Sequence, residues 1–558
     1  MANFYTDNKA LQYHLRHPLM KEIVALRERN YTQSEQFDYA PLDFEDAMDS
    51  YERVLEIIGE VCGDIIAPNA KDVDLEGPHH ENGRVRYASG TEKNLKALNQ
   101  AGLMGITLPR QYGGLNMSTI PYIMAADMVS RADAGFVNVW GLQDCAETIN
   151  EFGNEDQRQR FLPRTCKGET LAMDLTEPDA GSDLQSVMLK ATQDEDGTWR
   201  LNGVKRFITN GDGDISLVLA RSEEGTRDGR GLSMFIYDKR DGGMTVRRIE
   251  NKMGIKGSPT CELQFTNAPC QIVGERRLGL IKYVMSLMNG ARLAICSQAV
   301  GLAEAARRKA WDWTTKREQF GKRLCDIPPV RDMLERMDSQ VLAGRALLYE
   351  TSKCVDLRDG YEAKSLTDRN DADAKEKTKV YTKLAALLTP MAKFFTTEMA
   401  NAVAYDAIQC HGGKGYMFEH EVERMYRDAR IMNIYEGTTQ LQIVAATGGV
   451  MTHVLDSTLD ELEKVEHADE KLKALAAKVK AARVLTDEAI ALVDAEMKDK
   501  TELVARRLVR MQTIVYTSLL MLREVECDNG RMAATVRYVS EMVPEVAMNM
   551  EIIKSLKD

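Results

Sequence analysis

The stretch TWRLNGVKRFITNGDGDISLVLARS, residues 198–222, decides the fold class. It contains two short runs rich in β-branched and aromatic residues, separated by a Gly-Asp cluster, which is the pattern of two strands joined by a turn. Runs of the same kind begin at ETLAMDLTEP (169–178) and end at CELQFTN (261–267). We therefore predict a β domain over residues 166–280.

Helical patterns flank this β domain on both sides. YERVLEIIGEVCGDIIAPNA (51–70) places apolar residues three and four positions apart, as amphipathic helices do. The same period returns in long runs after Gly279. The predicted fold class is mainly α with a central β domain. In chain order the predicted parts are an N-terminal helical extension (1–48), an N-terminal α domain (49–165), the β domain (166–280), a C-terminal α bundle (281–450) and an additional C-terminal helical domain (451–558).

The composition limits the partners of the chain. Its 558 residues carry 73 Lys and Arg against 85 Asp and Glu, a net charge of −12, so we predict no nucleic-acid partner. The N-terminus lacks the apolar core of a signal peptide, and no apolar run reaches the length of about 18 residues that indicates a transmembrane helix. We predict a cytoplasmic location without a transmembrane segment, in which the ten cysteines, none in a C-x-x-C pair, are reduced thiols.

Several common cofactor and metal motifs are missing from the sequence. No G-x-G-x-x-G follows a predicted strand and no G-x-x-x-x-G-K-[ST] occurs, which disfavours nicotinamide binding and P-loop chemistry. HGGKGY (411–416) follows a helix, and a glycine helix cap accounts for it. Cys410, His411 and His420 lack the spacing of zinc ligands, so we predict no metal. Spacing alone leaves a catalytic Cys-His pair open, although nothing local favours one thiol over the other nine.

A single carboxylate, Glu436, lies at a junction in RIMNIYEGTTQLQ, residues 430–442. Gly437 marks a break in the surrounding helical pattern, because glycine is disfavoured inside helices and two β-branched threonines follow it. Taken alone, such a residue is an ordinary solvated helix end.

Two segments of the predicted β domain bunch hydroxyl groups and turn residues. MDLTEPDAGSD (173–183) begins as a strand and then turns, and KRFITNG (205–211) repeats the order of aromatic, aliphatic, hydroxyl and turn. Each segment alone is a hairpin with common turn residues. Together they can line a flat ring with polar edges.

The sequence resembles the acyl-CoA dehydrogenase family from about residue 50 to 450. The resemblance rests on motifs in the family's order: LPRQYGG, TEPDAGSD, RFITNG, KMGIKGSPT, REQFGK, QCHGGKGY, RDARI and YEGTTQ. The sequence around GSPTCELQF and MNGARL, together with both extensions, is most similar to the larger bacterial branch of the family. The resemblance implies an α-helical domain, a β-barrel-like domain and a four-helix bundle, followed by a C-terminal helical extension.

The resemblance also implies non-covalent FAD, held by the β domain and the C-terminal helices. Phe207 would pack by the flavin ring, Thr209 would bond its N5 edge, and the segment from Arg317 would reach the cofactor of a partner subunit. Where many relatives have a glutamine shortly after F-G-K, this chain has Ile327-Pro328, so that contact is not expected. The implied cofactor-binding residues are Met173, Leu175, Thr176, Ser182, Phe207, Ile208 and Thr209 in the β domain, and Arg317, Gln319, Phe320, Gln409, Gly412, Gly413, Thr438 and Gln440 after it.

In the family, a base removes the proton next to a thioester while hydride leaves the next carbon for the flavin, giving a trans-2-enoyl-CoA. The resemblance assigns the base to Glu436, and the backbone N–H of that residue to an oxyanion hole for the thioester oxygen. Some relatives carry the base in the segment matching MNGARL, which has no carboxylate here. The implied substrate-binding residues are Ser182, Asn289, Arg292 and Gly437.

The implied partners are an acyl-CoA substrate, an electron-transferring flavoprotein and further copies of the chain in a homodimer or homotetramer. An acyl-CoA oxidase reoxidised by oxygen and a non-catalytic helical scaffold on the same fold stay open as alternatives. Alignment with the family also brings Trp140 near the helix that floors the acyl pocket, where a bulky ring would shorten the chain accepted, although core packing explains this residue equally well.

Overall fold

The computed structural model describes residues 2–557, which form two compact units. The first unit ends at Gly301 and the second begins at Leu302. The helices before the β domain are α1 (Lys9–Leu15), α2 (Met20–Arg27), α3 (Phe44–Val61), α4 (Ala67–Glu76), α5 (Ser89–Gln100), α6 (Thr119–Ala132), α7 (Ala134–Trp140), α8 (Cys145–Phe152) and α9 (Glu155–Cys166).

The N-terminal extension is held to the rest of the first unit by two Arg-carboxylate pairs, of which one is buried. The guanidinium of Arg110, in the LPRQYGG segment, donates to both carboxylate oxygens of Glu28 at 2.6 and 2.9 Å, and both residues are buried. Arg131 makes a second two-pronged contact with Asp7, at 2.6 Å to each oxygen. Paired Arg-carboxylate bonds fix orientation as well as distance. Helix α3 begins at Phe44, so it runs across the predicted boundary between residues 48 and 49.

The strands of the β domain close on themselves. The strands are β1 (His79–Glu81), β2 (Arg84–Arg86), β3 (Leu171–Asp174), β4 (Lys190–Gln193), β5 (Trp199–Thr209), β6 (Ile215–Arg221), β7 (Leu232–Asp238), β8 (Met244–Ile249), β9 (Thr260–Val273), β10 (Glu318–Gln319) and β11 (Lys322–Arg323). Strand β6 pairs with β4, β4 with β5, β5 with β9, β9 with β7, and β7 returns to β6, while β3 adds to β6 and β8 to β9. This closed order confirms the predicted barrel-like domain.

Strand β6 is buried on both faces, which explains its continuous apolar run. Leu217 and Leu219 join a cluster with residues from α8 and α9, whereas Val218 and Ala220 join the cluster inside the barrel. The two-residue period of a strand therefore divides one apolar run between two cores.

Helix α10 (Met285–Lys316) carries the boundary between the units, and the second unit is otherwise helical apart from the short β10–β11 hairpin. The remaining helices of the second unit are α11 (Pro328–Thr367), α12 (Ala372–His411), α13 (Val422–Ala429), α14 (Thr439–Met451), α15 (Asp456–Glu463), α16 (Glu470–Glu496), α17 (Thr501–Cys527) and α18 (Met532–Ser555). The charged stretch 356–377 is helical on both sides of a short turn, because α11 continues to Thr367 and α12 begins at Ala372.

The C-terminal extension, α15 to α18, shares the core of the second unit. Helix α17 packs against α11, α14, α16 and α18, and it is buried over most of its length. Arg523 of α17 and Lys353 of α11 both contact Glu350, and their charges hold the pKa of this buried carboxyl far below its usual range. The predicted fold class, with its C-terminal helical extension, is confirmed. Among residues 2–557, none of the helices has the length and apolar composition needed to cross a bilayer.

Candidate active site

A buried lysine closes the loop that follows β3. The Lys205 ammonium donates to the carbonyl of Leu175 at 2.8 Å and to Glu177 Oε1 at 2.9 Å. The same carboxylate accepts the backbone N–H groups of Met188 and Leu189, at 2.7 and 2.9 Å, at the far end of the loop. One carboxylate therefore connects the two ends of the loop between β3 and β4, which contains the TEPDAGSD segment and is called the TEPDAGSD loop below.

The sequence-predicted residues of this segment lie along that loop. Met173 is on β3, Leu175 is buried, and Thr176 is half-buried, with its carbonyl accepting the N–H of Arg206 at 2.9 Å. Ser182 is exposed near the tip of the loop. The hydroxyl groups of this segment therefore lie on a loop whose ends are fixed by hydrogen bonds to Glu177.

The base of the loop contains a second buried carboxyl, Asp174. Its burial raises the pKa of this group to about 7, an effect that the charge of Lys205 partly offsets. Burial also lowers the pKa of Lys205, against the opposing influence of Glu177 and Asp174. Burial therefore disfavours the charged form of both Asp174 and Lys205.

Phe207 lies in a bulge of strand β5, where the pairing with β9 shifts between Lys205 and Ile208. Its φ of 60° is unusual for a bulky side chain, and its ring is 54% exposed with the Arg206 guanidinium 4.7 Å from the ring centre. Ile208 points into the barrel core and is 2% exposed, while Thr209 pairs with Thr260. Strained backbone of this kind is typical of ligand sites, and here it holds a flat ring towards solvent.

Asn289 and Arg292 lie one turn apart near the start of α10. An Arg292 Nη1 donates to Asn289 Oδ1 at 3.2 Å, and both residues are half-buried. The sequence-predicted pair is thus brought together on one helix face.

Three predicted residues of the second unit form one exposed hairpin. Arg317 precedes β10, Gln319 is in it, and Phe320 is at the tip, 94% exposed. Phe320 and Gly321 have φ values of 54° and 70°, as the two central residues of a type I′ turn require. Such a turn favours Asn or Gly, so a phenylalanine there is not chosen for turn stability.

Gln409, Gly412 and Gly413 are exposed at the end of α12. Gly412 ends the helix with a φ of 61°, the cap that the sequence predicts. A Cβ built on either glycine would meet no atom within 4 Å. The packing of this chain therefore does not require glycine at position 413, and the backbone there is open to close approach by a ligand.

Glu436 lies in the non-helical link between a 3₁₀ turn, Arg430–Asn433, and α14. Glu436 and Gly437 have φ values of 54° and 87°, and both are half-buried. Left-handed backbone is costly for a glutamate, so the surroundings must hold it.

Two buried side chains hold the carbonyls of this link. Lys393 of α12, 1% exposed, donates to the carbonyl of Tyr435 at 2.7 Å and to that of Gly437 at 2.5 Å. Gln442 of α14 donates to the carbonyls of Glu436 and Gly437 at 3.2 and 3.0 Å. The carbonyls of three consecutive residues therefore accept hydrogen bonds from these two buried side chains. The motif analysis missed Lys393 and Gln442, and a lysine inside an otherwise apolar helical run was the only signal for the first.

A pocket of about 330 Å³ lies beside the same link. Its lining includes the predicted Thr438, which caps α14 through a bond from the N–H of Leu441, and the predicted Gln440. Arg430 and Asn433 of this lining fall inside the quoted stretch 430–442, but no role was predicted for them. The lining residues on α12 lie outside every quoted motif. The lining residues are Glu398, Asn401, Arg430, Asn433, Ile434, Thr438, Thr439 and Gln440.

Known proteins are similar to this chain over most of its length. The N-terminal, middle and C-terminal domain profiles of acyl-CoA dehydrogenase match residues 49–169, 172–268 and 281–450. The 3-methylmercaptopropionyl-CoA dehydrogenase of Ruegeria pomeroyi is 34% identical over 430 residues, covering 72% of this chain and 70% of that relative.

Two solved structures extend the comparison. Butyryl-CoA dehydrogenase from Megasphaera elsdenii superposes with a TM-score of 0.61 at 30% identity, over 72% of this chain and 98% of the other. An acyl-CoA dehydrogenase complexed with FAD from Bacillus anthracis gives a TM-score of 0.77 at 23% identity, over 91% and 88%. The second likeness concerns the fold alone, and its coverage shows that the fold similarity extends well beyond the three family domains.

The chain belongs to the acyl-CoA dehydrogenase family. It is accordingly an oxidoreductase that acts on CH–CH groups, and its cofactor is FAD. The residues present fit such a group. Phe207 offers an exposed flat ring, the Arg317 guanidinium can pair with a pyrophosphate, and the open backbone at Gly412–Gly413 admits close approach.

Proposed function

We propose that this enzyme removes the α-proton and the β-hydride of a fatty acyl-CoA to give the trans-2-enoyl-CoA, with Glu436 as the base. The observation that supports this proposal best is the Glu436 link itself. A half-buried carboxylate is held there at a φ of 54°, a conformation that a solvated helix end does not need. Catalytic residues often keep strained backbone of this kind.

Glu436 takes the α-proton onto a carboxylate oxygen, and the C–H electron pair forms the new double bond as hydride departs from the β-carbon. Bound FAD supplies the acceptor for that hydride. The negative charge that develops on the thioester oxygen is met by the backbone N–H of Glu436, as in other oxyanion sites. Gly437 allows the bend that aims both the carboxylate and this N–H.

The thioester is proposed to be positioned by Ser182, Asn289, Arg292 and Gly437. The Arg292 guanidinium, already oriented by Asn289, suits a phosphate or carbonyl of the CoA moiety. Trp140 gives no support for a short acyl pocket. It is fully buried, and its indole N–H donates to the carbonyl of Leu103 at 3.2 Å, so core packing accounts for it.

The exposed hairpin at Phe320 supports a homo-oligomer, dimer or tetramer, in which this segment reaches the cofactor of a neighbouring subunit. A nearly fully exposed phenylalanine in an unfavourable turn position is explained by a contact of this kind. An electron-transferring flavoprotein is the proposed electron acceptor, and molecular oxygen is the alternative.

The test is an anaerobic titration of the purified flavoprotein with butyryl-, octanoyl- and palmitoyl-CoA, read by flavin absorbance. We expect the flavin of the native enzyme to bleach with at least one thioester. The Glu436→Gln variant should keep its bound flavin and lose about 10² to 10⁴-fold in bleaching rate. Glu461→Gln, a change of an exposed carboxylate on α15, is the matched control.

Normal bleaching by Glu436→Gln would refute the assignment of the base. A colourless protein that takes up no FAD would favour the scaffold alternative. Stoichiometric peroxide from substrate in air would favour the oxidase.

A further inference from the structure

We propose that Lys393 is a positioning residue that strengthens the oxyanion-binding N–H of Glu436 through the peptide bond that joins Tyr435 to Glu436. The inference rests on the proposed function, because it concerns how that N–H stabilises the thioester oxygen.

The proposal depends on the geometry of one peptide unit, the one that joins Tyr435 to Glu436. The carbonyl of Tyr435 and the N–H of Glu436 belong to the same amide group. The Lys393 ammonium donates to that carbonyl at 2.7 Å. A cation therefore lies at one end of the amide whose N–H is the oxyanion donor in the proposed function. A charge-assisted bond to an amide oxygen draws electron density from the nitrogen, which makes the N–H a stronger donor.

Burial makes this effect larger. Lys393 is 1% exposed, and water therefore screens its charge poorly. A lysine is also expensive to bury, which a purely structural carbonyl clamp would not require. Gln442 shows that a neutral amide serves as a clamp in the same link, since it donates to the carbonyls of Glu436 and Gly437.

The two clamps differ in a way that the test exploits. Lys393 bonds the carbonyls before and after Glu436, and only the first of these belongs to the proposed oxyanion donor. Gln442 bonds the carbonyls of Glu436 and Gly437, which belong to the two following peptide units. Loss of either side chain loosens the link, but only loss of Lys393 removes the polarisation of the Tyr435–Glu436 amide.

The first measurement needs no substrate and no turnover. Labelling with carbonyl-¹³C tyrosine and ¹⁵N glutamate gives one correlation for each Tyr-Glu peptide, and the sequence contains four, at 51–52, 349–350, 361–362 and 435–436. Tyr435→Phe assigns the last. We expect Lys393→Met to move the Tyr435 carbonyl resonance upfield and to leave the other three in place, which also reports that the variant is folded.

The second measurement uses a 3-thiaacyl-CoA labelled with ¹³C at the thioester carbonyl. Sulfur replaces the β-carbon, so this ligand cannot lose hydride, and its carbonyl stretching frequency reports the strength of the oxyanion contact. Binding to the native enzyme should lower the frequency. Lys393→Met should weaken this shift and reduce kcat by about tenfold or more, given the 10² to 10³-fold effect of a whole oxyanion donor. Lys393→Arg should restore part of both, and Gln442→Leu should reduce kcat without the frequency change.

The proposal is overturned if Lys393→Met keeps the native Tyr435 resonance, or if its bound thioester keeps the native carbonyl frequency. It is also overturned if Gln442→Leu changes the frequency equally, because Lys393 would then act only as a clamp. Failure of the proposed function gives a different result, in which the native enzyme binds no thioester. The resonance of the Tyr435–Glu436 peptide still reports in that case whether Lys393 polarises this amide.

Discussion

The two compact units each fasten a polar loop with a buried lysine, but the two lysines act on different groups. Lys205 donates to a carboxylate, Glu177, and to one carbonyl, and another carboxyl, Asp174, is close enough to influence its pKa. Lys393 donates to two carbonyls on either side of Glu436. A buried cation can therefore neutralise a neighbouring charge and fix a loop, as Lys205 does, or polarise a peptide bond, as we propose for Lys393.

The consequences for pH and catalysis differ accordingly. The Lys205 cluster contains one carboxyl, Asp174, whose pKa is raised by burial, so the contribution of the cluster is to stability and its pH dependence. The two carbonyls that accept from Lys393 are backbone dipoles that do not titrate, so the proposed contribution of these bonds is to the reaction. Variants in the two loops should therefore separate loss of folding or flavin from loss of turnover.

The largest expected effect on stability belongs to Lys205→Met. It leaves Glu177 buried beside Leu175 without its cation, and breaking a buried ion pair from one side costs about 3–5 kcal/mol of unfolding free energy. Urea unfolding followed by circular dichroism, together with an FAD titration, measures the change. The flavin should also bind more weakly, because both ends of the TEPDAGSD loop depend on Glu177.

Lys190→Met is the matched control, since this residue is an exposed lysine on β4 of the same barrel. A Lys205→Met protein with native stability and native FAD affinity would show that the loop does not depend on the clamp.

A smaller effect is expected from Asp174→Asn, and it should appear in the pH profile. The folded-state pKa of Asp174 is raised to about 7, whereas an unfolded aspartate titrates near 3.9. The folded protein therefore holds this proton over that window while the unfolded chain releases it. The contribution to stability is full below about pH 4, falls as pH rises towards 7 and is level above it, by a few kcal/mol in total.

Asparagine cannot titrate, so the unfolding free energy of the variant should lose this decline between about pH 4 and 7. Asp179→Asn, in the exposed part of the same loop, should keep the native profile. An unchanged slope in Asp174→Asn would show that the raised pKa belongs to another group.

Much of this architecture could be predicted from the sequence because it follows from local patterns. The two-residue period predicted β5 and β6, and the glycine break predicted the Glu436 link. Each of these signals is contained within a few consecutive residues. Local patterns do not decide the structure of the charged stretch 356–377. Its polar residues are compatible with an exposed helix as well as with a loop, and packing of the apolar parts of α11 and α12 decides between them.

The supports of the site could not be predicted in this way. Lys393 is 42 residues from Tyr435, and Glu177 reaches Lys205 across 28, so no local spacing links them. The backbone strain at Phe207 and Glu436 is also invisible in the sequence, because it results from bonds made by other elements. The family resemblance therefore predicted which side chains face a ligand. The contacts that hold these side chains in place are visible only in the structure.

The smallest expected effect concerns the reach of the C-terminal extension to the Glu436 link. Arg506 of α17 donates to Glu398 Oε2 at 3.2 Å, and the other oxygen of Glu398 accepts from Asn433 at 3.1 Å. The Arg506 and Glu398 side chains are 47% and 38% exposed, and pairs of this kind contribute up to about 1 kcal/mol. Arg506→Ala should therefore lower kcat less than about fivefold, as measured beside Arg507→Ala, whose guanidinium donates to Asn549 instead. A loss as large as that of Lys393→Met would mean that the extension controls the catalytic link directly, and the contrast between the two lysine-held loops would then have to include α17.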